Sequence, residues 1–363
     1  MKRNMHVRRK IKSCSQLPWS GAVSKYLIFS LFFVFCLGET INTFIKLKKD
    51  PMNKEEADGK YMCETPFGLQ GRPVFGGQIF SHIISCALKE TENYEVISGD
   101  CVFKDKTEQS LPIIYKSTVE ALGRTVKLVN VNVCQTVDGV EVVRAVGVVL
   151  MQKSKTAIQN EKKVFIETIA KRQKNTLQKY FSRGTPDREK IKQMKTPKVF
   201  WKEILNEKDF KTYSDIIHDR YNSVDLYMLQ DAKSPFARCI GYQMHPPAAP
   251  STHETTEVER INEIYKHISY ISDENLLETA LISQGLCIIN SKYNILTISH
   301  SVKFNSCETF DLFQPFFYSI KIKSIENNIA MCSGKIVQND TVYANIHQVG
   351  KIMMLPGGNT NSK

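Results

Sequence analysis

Three polar residues in the C-terminal half of the chain have the types that move protons and hold water. In "YISDENLLETALIS", Asp273, Leu276, Leu277 and Ala280 fall at i, i+3, i+4 and i+7, so one carboxylate lines up with the apolar face of a helix. In "TVYANIHQVGKIMM", Val342, Ala344, Ile346 and Gln348 share one face of a strand, and a carboxamide continues an inward apolar row. Asn345, His347 and Lys351 point the other way. In "NILTISHS", alternation groups Thr297 with Ile295, Ser299 and Ser301, the more polar face, so periodicity gives no reason to bury it. Each residue also has a plain structural reading: an acid at a helix boundary that bends to solvent, a hydrogen-bonded glutamine at a strand end.

A fourth feature is the pair Gly76-Gly77 in "GRPVFGGQIFSHIISCALKE". Glycines at the start of a helix can cradle phosphate on N-terminal amides. Neither G-x-G-x-x-G nor G-x-x-x-x-G-K-[ST] is present. A bare backbone turn and a close approach of another element stay open beside it.

The elements that must hold these residues repeat. Ile79, Ile83 and Ala87 recur at helical spacing over residues 75–88, with Ile84 and Leu88 beside them. Strand patterns follow in "YEVISGDCVF", "LPIIYKSTVEAL", "TVKLVNVNVCQ" and "VEVVRAVGVVLM", the last two joined by the hairpin signal Asp138-Gly139. The second half has strands in "RYNSVDLYML" and "PFARCIGYQM", then one long helical stretch, "EVERINEIYKHISYISDENLLETALIS". "YNILTISHSVKFN", "PFFYSIKIKSIEN", "IAMCSGKIVQ" and "TVYANIHQVGKIMM" complete it. Helix, strand, strand, hairpin, strand thus occurs twice, as expected of an internal duplication. Each half reads as a helix on an antiparallel meander, an α+β architecture.

Between the halves lies a lysine-rich linker, residues 156–215, which carries much of the net charge of +12. It lacks an RNA-binding signature or a recognition-helix motif, so nucleic acid is not the expected partner. The ten cysteines include no C-x-x-C pair, which argues against a zinc site or a disulfide framework. At the N-terminus a basic region precedes "YLIFSLFFVFCLG". That run has the length of a signal-peptide core, and recruiting Ala22 and Val23 would make it an anchor; an upstream exon wrongly joined is a third reading. Residues 1–59 are therefore expected to stand apart from the fold, with membrane association through residues 22–38. The chain ends Asn361-Ser362-Lys363, one leucine short of a peroxisomal S-K-L.

"RPVFGGQIFSHIISCAL", "YISDENLLETAL", "LTISHSVKF" and "VYANIHQVGKIM" together resemble the acyl-CoA thioesterase II family, the double hotdog thioesterases, in order and spacing over residues 71–354. The resemblance implies two hotdog repeats, each an antiparallel sheet wrapped around a central helix. The first would span residues 60–155 and the second, carrying the catalytic residues, residues 216–356. It implies hydrolysis of fatty acyl-CoA to fatty acid and CoA without cofactor or metal, and a homo-oligomer. It also implies a peroxisomal matrix location, against the anchor or secretory reading of the N-terminus. Carried over by position, the residues that bind the hydrolytic water are Asp273, Thr297 and Gln348. The glycine pair becomes the start of the first central helix. The sequence departs from the family pattern at Ser299, Lys303, Asn305 and Val349, and where arginine-glycine pairs are usual it has Ile329-Ala330 and Ser333-Gly334. A non-catalytic acyl-CoA or lipid-binding paralogue is the alternative that these departures favour.

Overall fold

A computed structural model describes residues 41–49, 59–63, 65–68, 72–154, 224–230, 236–245, 255–284 and 293–354, with 195, 199 and 202 singly. The basic and apolar segment through residue 40 and nearly all of the linker lie outside the described residues, so the structure leaves both readings where the sequence put them. No helix among the described residues is long and apolar enough to cross a membrane.

The chain runs α1 (Ile41–Phe44), β1 (Lys48–Lys49), β2 (Gly59–Cys63), α2 (Gly76–Glu90), β3 (Tyr94–Phe103), β4 (Ile113–Ala121), β5 (Val126–Val137) and β6 (Val140–Lys153). It continues with β7 (Val224–Gln230), β8 (Ala237–Met244), α3 (Glu257–Asp273), α4 (Leu276–Ser283), β9 (Tyr293–Phe304), β10 (Phe316–Glu326), β11 (Ile329–Gln338) and β12 (Thr341–Met354). The strands form one sheet in the order β1-β2-β4-β5-β6-β3-β9-β12-β11-β10-β8-β7. Every neighbouring pair is antiparallel.

That order is its own mirror image about the β3–β9 pair, where Asp100 lies opposite Ser301. β1 through β6 recur as β7 through β12, and α2 recurs as α3. Details recur too. β5 and β11 shift register against their hairpin partners after Val133 and Ile336, and β3 and β9 each loop out one isoleucine, Ile97 and Ile298. Buried Gln135 of β5 and Gln338 of β11 bind loop backbone in the same way, at Glu108 and Asp311. The duplication read from the sequence is therefore present, down to its irregularities. One part of that reading changes: β3 does not lie beside β4 but crosses to β6, so each repeat is a three-stranded meander closed by the strand that precedes it.

α2 is buried along Gly77–Ala87 and packs on both the sheet and α3. α3 begins with a capping box, Thr256 accepting from the Glu259 amide while Glu259 accepts from Thr256. The long helix expected after it is broken. Glu274 is extended and Asn275 takes a left-handed conformation (φ 61°), one that Asn adopts at low cost. The break resets the helical phase, so Asp273 does not share a face with Leu276, Leu277 and Ala280. It is instead the last residue of α3.

The expectation that residues 1–59 contribute nothing is corrected for residues 41–49. Ile41, Ile45 and Leu47 are core residues. The Phe44 carbonyl accepts from Gln78 Nε2 at 2.9 Å and from His82 Nε2 at 2.8 Å, both inside α2. Tyr115 in turn donates to His82 Nδ1, at 2.9 Å. The segment is a strap whose apolar side and one carbonyl complete the core under β2.

Three histidines are buried in this core. Burial lowers His82 to about 4 and His300 to about 3, and lowers His267 as well. The unfolded chain takes up protons at these sites from about pH 6.5 downward while the folded chain does not. Stability is thus present above that pH and is lost as pH falls toward 4. The thermal midpoint should drop over this window, and His82→Gln, which can keep a donor toward Phe44, should flatten the dependence. A midpoint independent of pH between 7 and about 4.5 would contradict the buried neutral histidines.

Candidate active site

Asp273, Thr297 and Gln348 come from α3, β9 and β12, and the fold brings all three together. Gln348 Nε2 donates to Asp273 Oδ1 and, at 3.0 Å, to Thr297 Oγ1. The threonine hydroxyl donates to the same carboxylate oxygen at 3.4 Å. A carboxylate only accepts, so these contacts fix which end of the carboxamide is nitrogen. Gln348 Oε1 is left buried with no partner among the described residues.

Each residue is placed by a different device. Gln348 continues the inward row of Ala344 and Ile346 and is 2% exposed; a bulge at Tyr343 takes Val342, which the spacing placed in that row, out of it. Thr297 is where simple alternation fails. The bulge at Ile298 pairs Thr297 with Gly350, just as Ser299 pairs with Val349, and so reverses the phase of β9. Thr297 and Ile295 thereby join the inner face that His300, Val302 and Phe304 occupy beyond the bulge. Gly350 has no side chain because Leu277 of α4 lies against its backbone. Asp273 projects from the end of α3, where the chain turns into α4, and Arg238 of β8 pairs with Glu278 of α4 at 3.7 Å beneath that turn.

The glycine pair has its answer here. A Cβ on Gly77 would collide with the Tyr270 carbonyl of α3, and one on Gly76 would lie 2.8 Å from Asp273 Oδ2. The pair lets the N-terminus of α2 come down on the C-terminus of α3. It also sets the partial positive end of α2 beside the carboxylate. Because the Tyr270 carbonyl is backbone and cannot swing away, Gly77→Ala should cost about 1–3 kcal/mol, the usual penalty of overpacking. Denaturant unfolding measures it, and an unchanged midpoint would contradict the close approach.

Beside the trio the inner face carries uncharged groups. One cross-strand row runs Cys101, His300, Gln348, Cys332, each at most 2% exposed. Burial pushes the Cys332 thiol up to about 12 and Cys101 higher still, so both stay protonated. Sequence reasoning missed His300, although it alternates with Val302 and Phe304 on the apolar face of β9. The first repeat has no such site. Its matching bulge and strands put Val96, Gly99 and Val149 where the second repeat has Thr297, His300 and Gln348. Phe80 and Ile84 of α2 fill the space that Gly99 leaves. A cavity of about 320 Å³ beside the middle of α3, lined by Ile45, Lys46, Met244, His267 and Leu312 among others, includes none of the trio.

Residues 241–353 match the acyl-CoA thioesterase family. No curated protein matches the chain. Among solved structures, the acyl-CoA thioesterase II TesB2 of Mycobacterium marinum superposes with a TM-score of 0.56 at 14% identity, over 88% of this chain and 99% of that one. A TesB protein of Mycobacterium avium subsp. paratuberculosis gives 0.56 at 12%, over 86% and 98%. A hotdog-fold protein of Alicyclobacillus acidocaldarius gives 0.54 at 9%, over 86% and 98%. At these identities the likeness is one of fold, and that fold is the double hotdog.

Proposed function

We propose, from the match of residues 241–353 to the acyl-CoA thioesterase family, that this chain hydrolyses fatty acyl-CoA to fatty acid and CoA at the Asp273–Thr297–Gln348 site. The observation that carries the reading is the meeting of a carboxylate, a hydroxyl and a carboxamide from three separate elements around one carboxylate oxygen.

In this reading a water bound by Thr297 and Gln348 gives a proton to Asp273 as its oxygen attacks the thioester carbon. The carbonyl oxygen becomes an oxyanion. First-turn N–H groups of a helix lack intrahelical acceptors. Those of Gly76 and Gly77, beside the carboxylate, are the donors we assign to the oxyanion. Collapse of the tetrahedral intermediate breaks the carbon–sulfur bond. The thiolate leaves and takes the proton from Asp273, which restores the carboxylate. No metal or cofactor enters any step. The reading places the chemistry in the second repeat alone, since the first repeat has Val96, Gly99 and Val149 at the positions of Thr297, His300 and Gln348.

The second reading, an acyl-CoA or lipid-binding protein without turnover, rests on the residues that depart from the family pattern, above all Ile329-Ala330 and Ser333-Gly334 on β11. Fatty acyl-CoAs of increasing chain length, with free thiol as the readout, separate the two. A folded chain that releases no thiol from any member overturns the first.

A further inference from the structure

We propose that His300 positions the Asp273 carboxylate by fixing Ser272 at the end of α3; this rests on the thioesterase reading above. The contacts are buried and have a direction. Ser272 Oγ lies 2.7 Å from the Ser269 carbonyl and 2.7 Å from His300 Nε2. A serine hydroxyl has one hydrogen and a carbonyl only accepts. The hydrogen therefore goes to Ser269, and the second contact holds a hydrogen only if His300 Nε2 donates it. The ring is the Nε2–H tautomer with a bare Nδ1, which has no partner among the described residues. Burial keeps the ring neutral, with its pKa lowered to about 3.

A second tie acts on the same residue. Tyr318 of β10 donates its hydroxyl to the Ser272 carbonyl at 2.5 Å. Ser272 is thus held by its side chain from β9 and by its backbone from β10. Phe80 of α2 meets the imidazole edge to face, with ring centroids 4.8 Å apart, and closes its other side.

These ties matter because α3 ends one residue later. The last carbonyls of a helix have no intrahelical donor, and helix ends fray. Asp273 would share that freedom if its predecessor were not anchored. β9 supplies both the anchor and Thr297, and His300 lies directly opposite Gln348. One strand therefore sets the helix end, the hydroxyl and the ring beside the carboxamide. The hydrogen bond of His300 goes to Ser272 and not to Asp273, so its role is to position the carboxylate.

The test compares His300→Leu, His300→Gln and Ser272→Ala in the full chain. Leucine keeps bulk and removes the donor, and glutamine returns an N–H near the Nε2 position. Displacing a catalytic group by about 1 Å costs roughly 10²-fold. His300→Leu should lower kcat by that order with KM changed far less, Ser272→Ala should act in the same direction, and His300→Gln should recover most of the rate. Unchanged kcat in a folded His300→Leu, or a glutamine variant as impaired as the leucine one, overturns the proposal. If His300→Leu does not fold, Ser272→Ala decides alone: a reduced kcat supports the proposal and an unchanged one overturns it. Two readouts need no turnover. Long-range ¹H–¹⁵N correlation should find the wild-type ring proton on Nε2; a proton on Nδ1 overturns the tautomer and the proposal with it. Crystal structures should show the carboxylate of Ser272→Ala displaced from Gln348 and Thr297 relative to wild type; an unmoved carboxylate overturns the proposal. If the wild type binds acyl-CoA without hydrolysing it, the thioesterase reading fails, and the crystallographic comparison still decides the role of His300.

Discussion

Asp273→Asn is expected to lower acyl-CoA turnover by about 10²–10⁴-fold, the usual contribution of a general base. The substitution keeps the shape of the side chain and its capacity to meet Gln348 and Thr297, and removes the proton acceptor. Substrate affinity should change much less, since the acyl chain and CoA are held by other groups. Gln348→Ala and Thr297→Ala should also slow turnover, by smaller factors, because each removes a water contact without removing the base. The three act on one water, so the losses should not add in the double variants. Steady-state kinetics on purified, folded variants measure all of this. A fully active Asp273→Asn would mean that the proton goes elsewhere.

The second large effect concerns stability. A chain beginning at residue 50 lacks Ile41, Ile45 and Leu47, three buried apolar side chains. Full burial of each is typically worth about 1.5–3 kcal/mol. It also lacks the Phe44 carbonyl, so Gln78 and His82 each lose a buried acceptor, at about 1–3 kcal/mol apiece. Together these approach the whole stability of an ordinary domain, about 5–15 kcal/mol. The thermal midpoint should therefore collapse, or the native state should be lost. A chain beginning at Ile41 should keep the midpoint of the full chain, because the sequence of residues 1–40 gives no face to pack on a sheet. Equal midpoints for the two truncations would show that the strap contributes little.

The strap was legible in principle. Ile41, Phe44 and Ile45 fall at i, i+3 and i+4, one turn of an apolar face, but so short a run beside a longer apolar segment reads as its tail. The repeats were legible because strand alternation and the Asp138-Gly139 turn are local signals. The pairing of β3 with β6 was not, because strand order is set by packing between elements distant in sequence. Gln348 was legible because Ala344 and Ile346 lead to it in unbroken alternation, the bulge at Tyr343 lying before them. Thr297 was legible through the family motif and not through alternation: one extra residue, Ile298, reverses the faces of β9, and a bulge leaves no mark in a single sequence. Asp273 was legible through the family motif, while the helical phase that also pointed to it runs across a break at Glu274–Asn275. The glycine pair announced a special backbone and left its neighbour open. Tyr270 and Asp273 of the other repeat are that neighbour, a contact that exists only once the two helices pack.

The central claim is hydrolysis at the Asp273 site, and one measurement tests it most directly. Wild-type chain and one long-chain acyl-CoA are mixed, and free thiol, fatty acid and bound ligand are followed in the same sample. The account predicts thiol and fatty acid released in equal amounts over many turnovers. Saturable binding of acyl-CoA with no release of either product would contradict it.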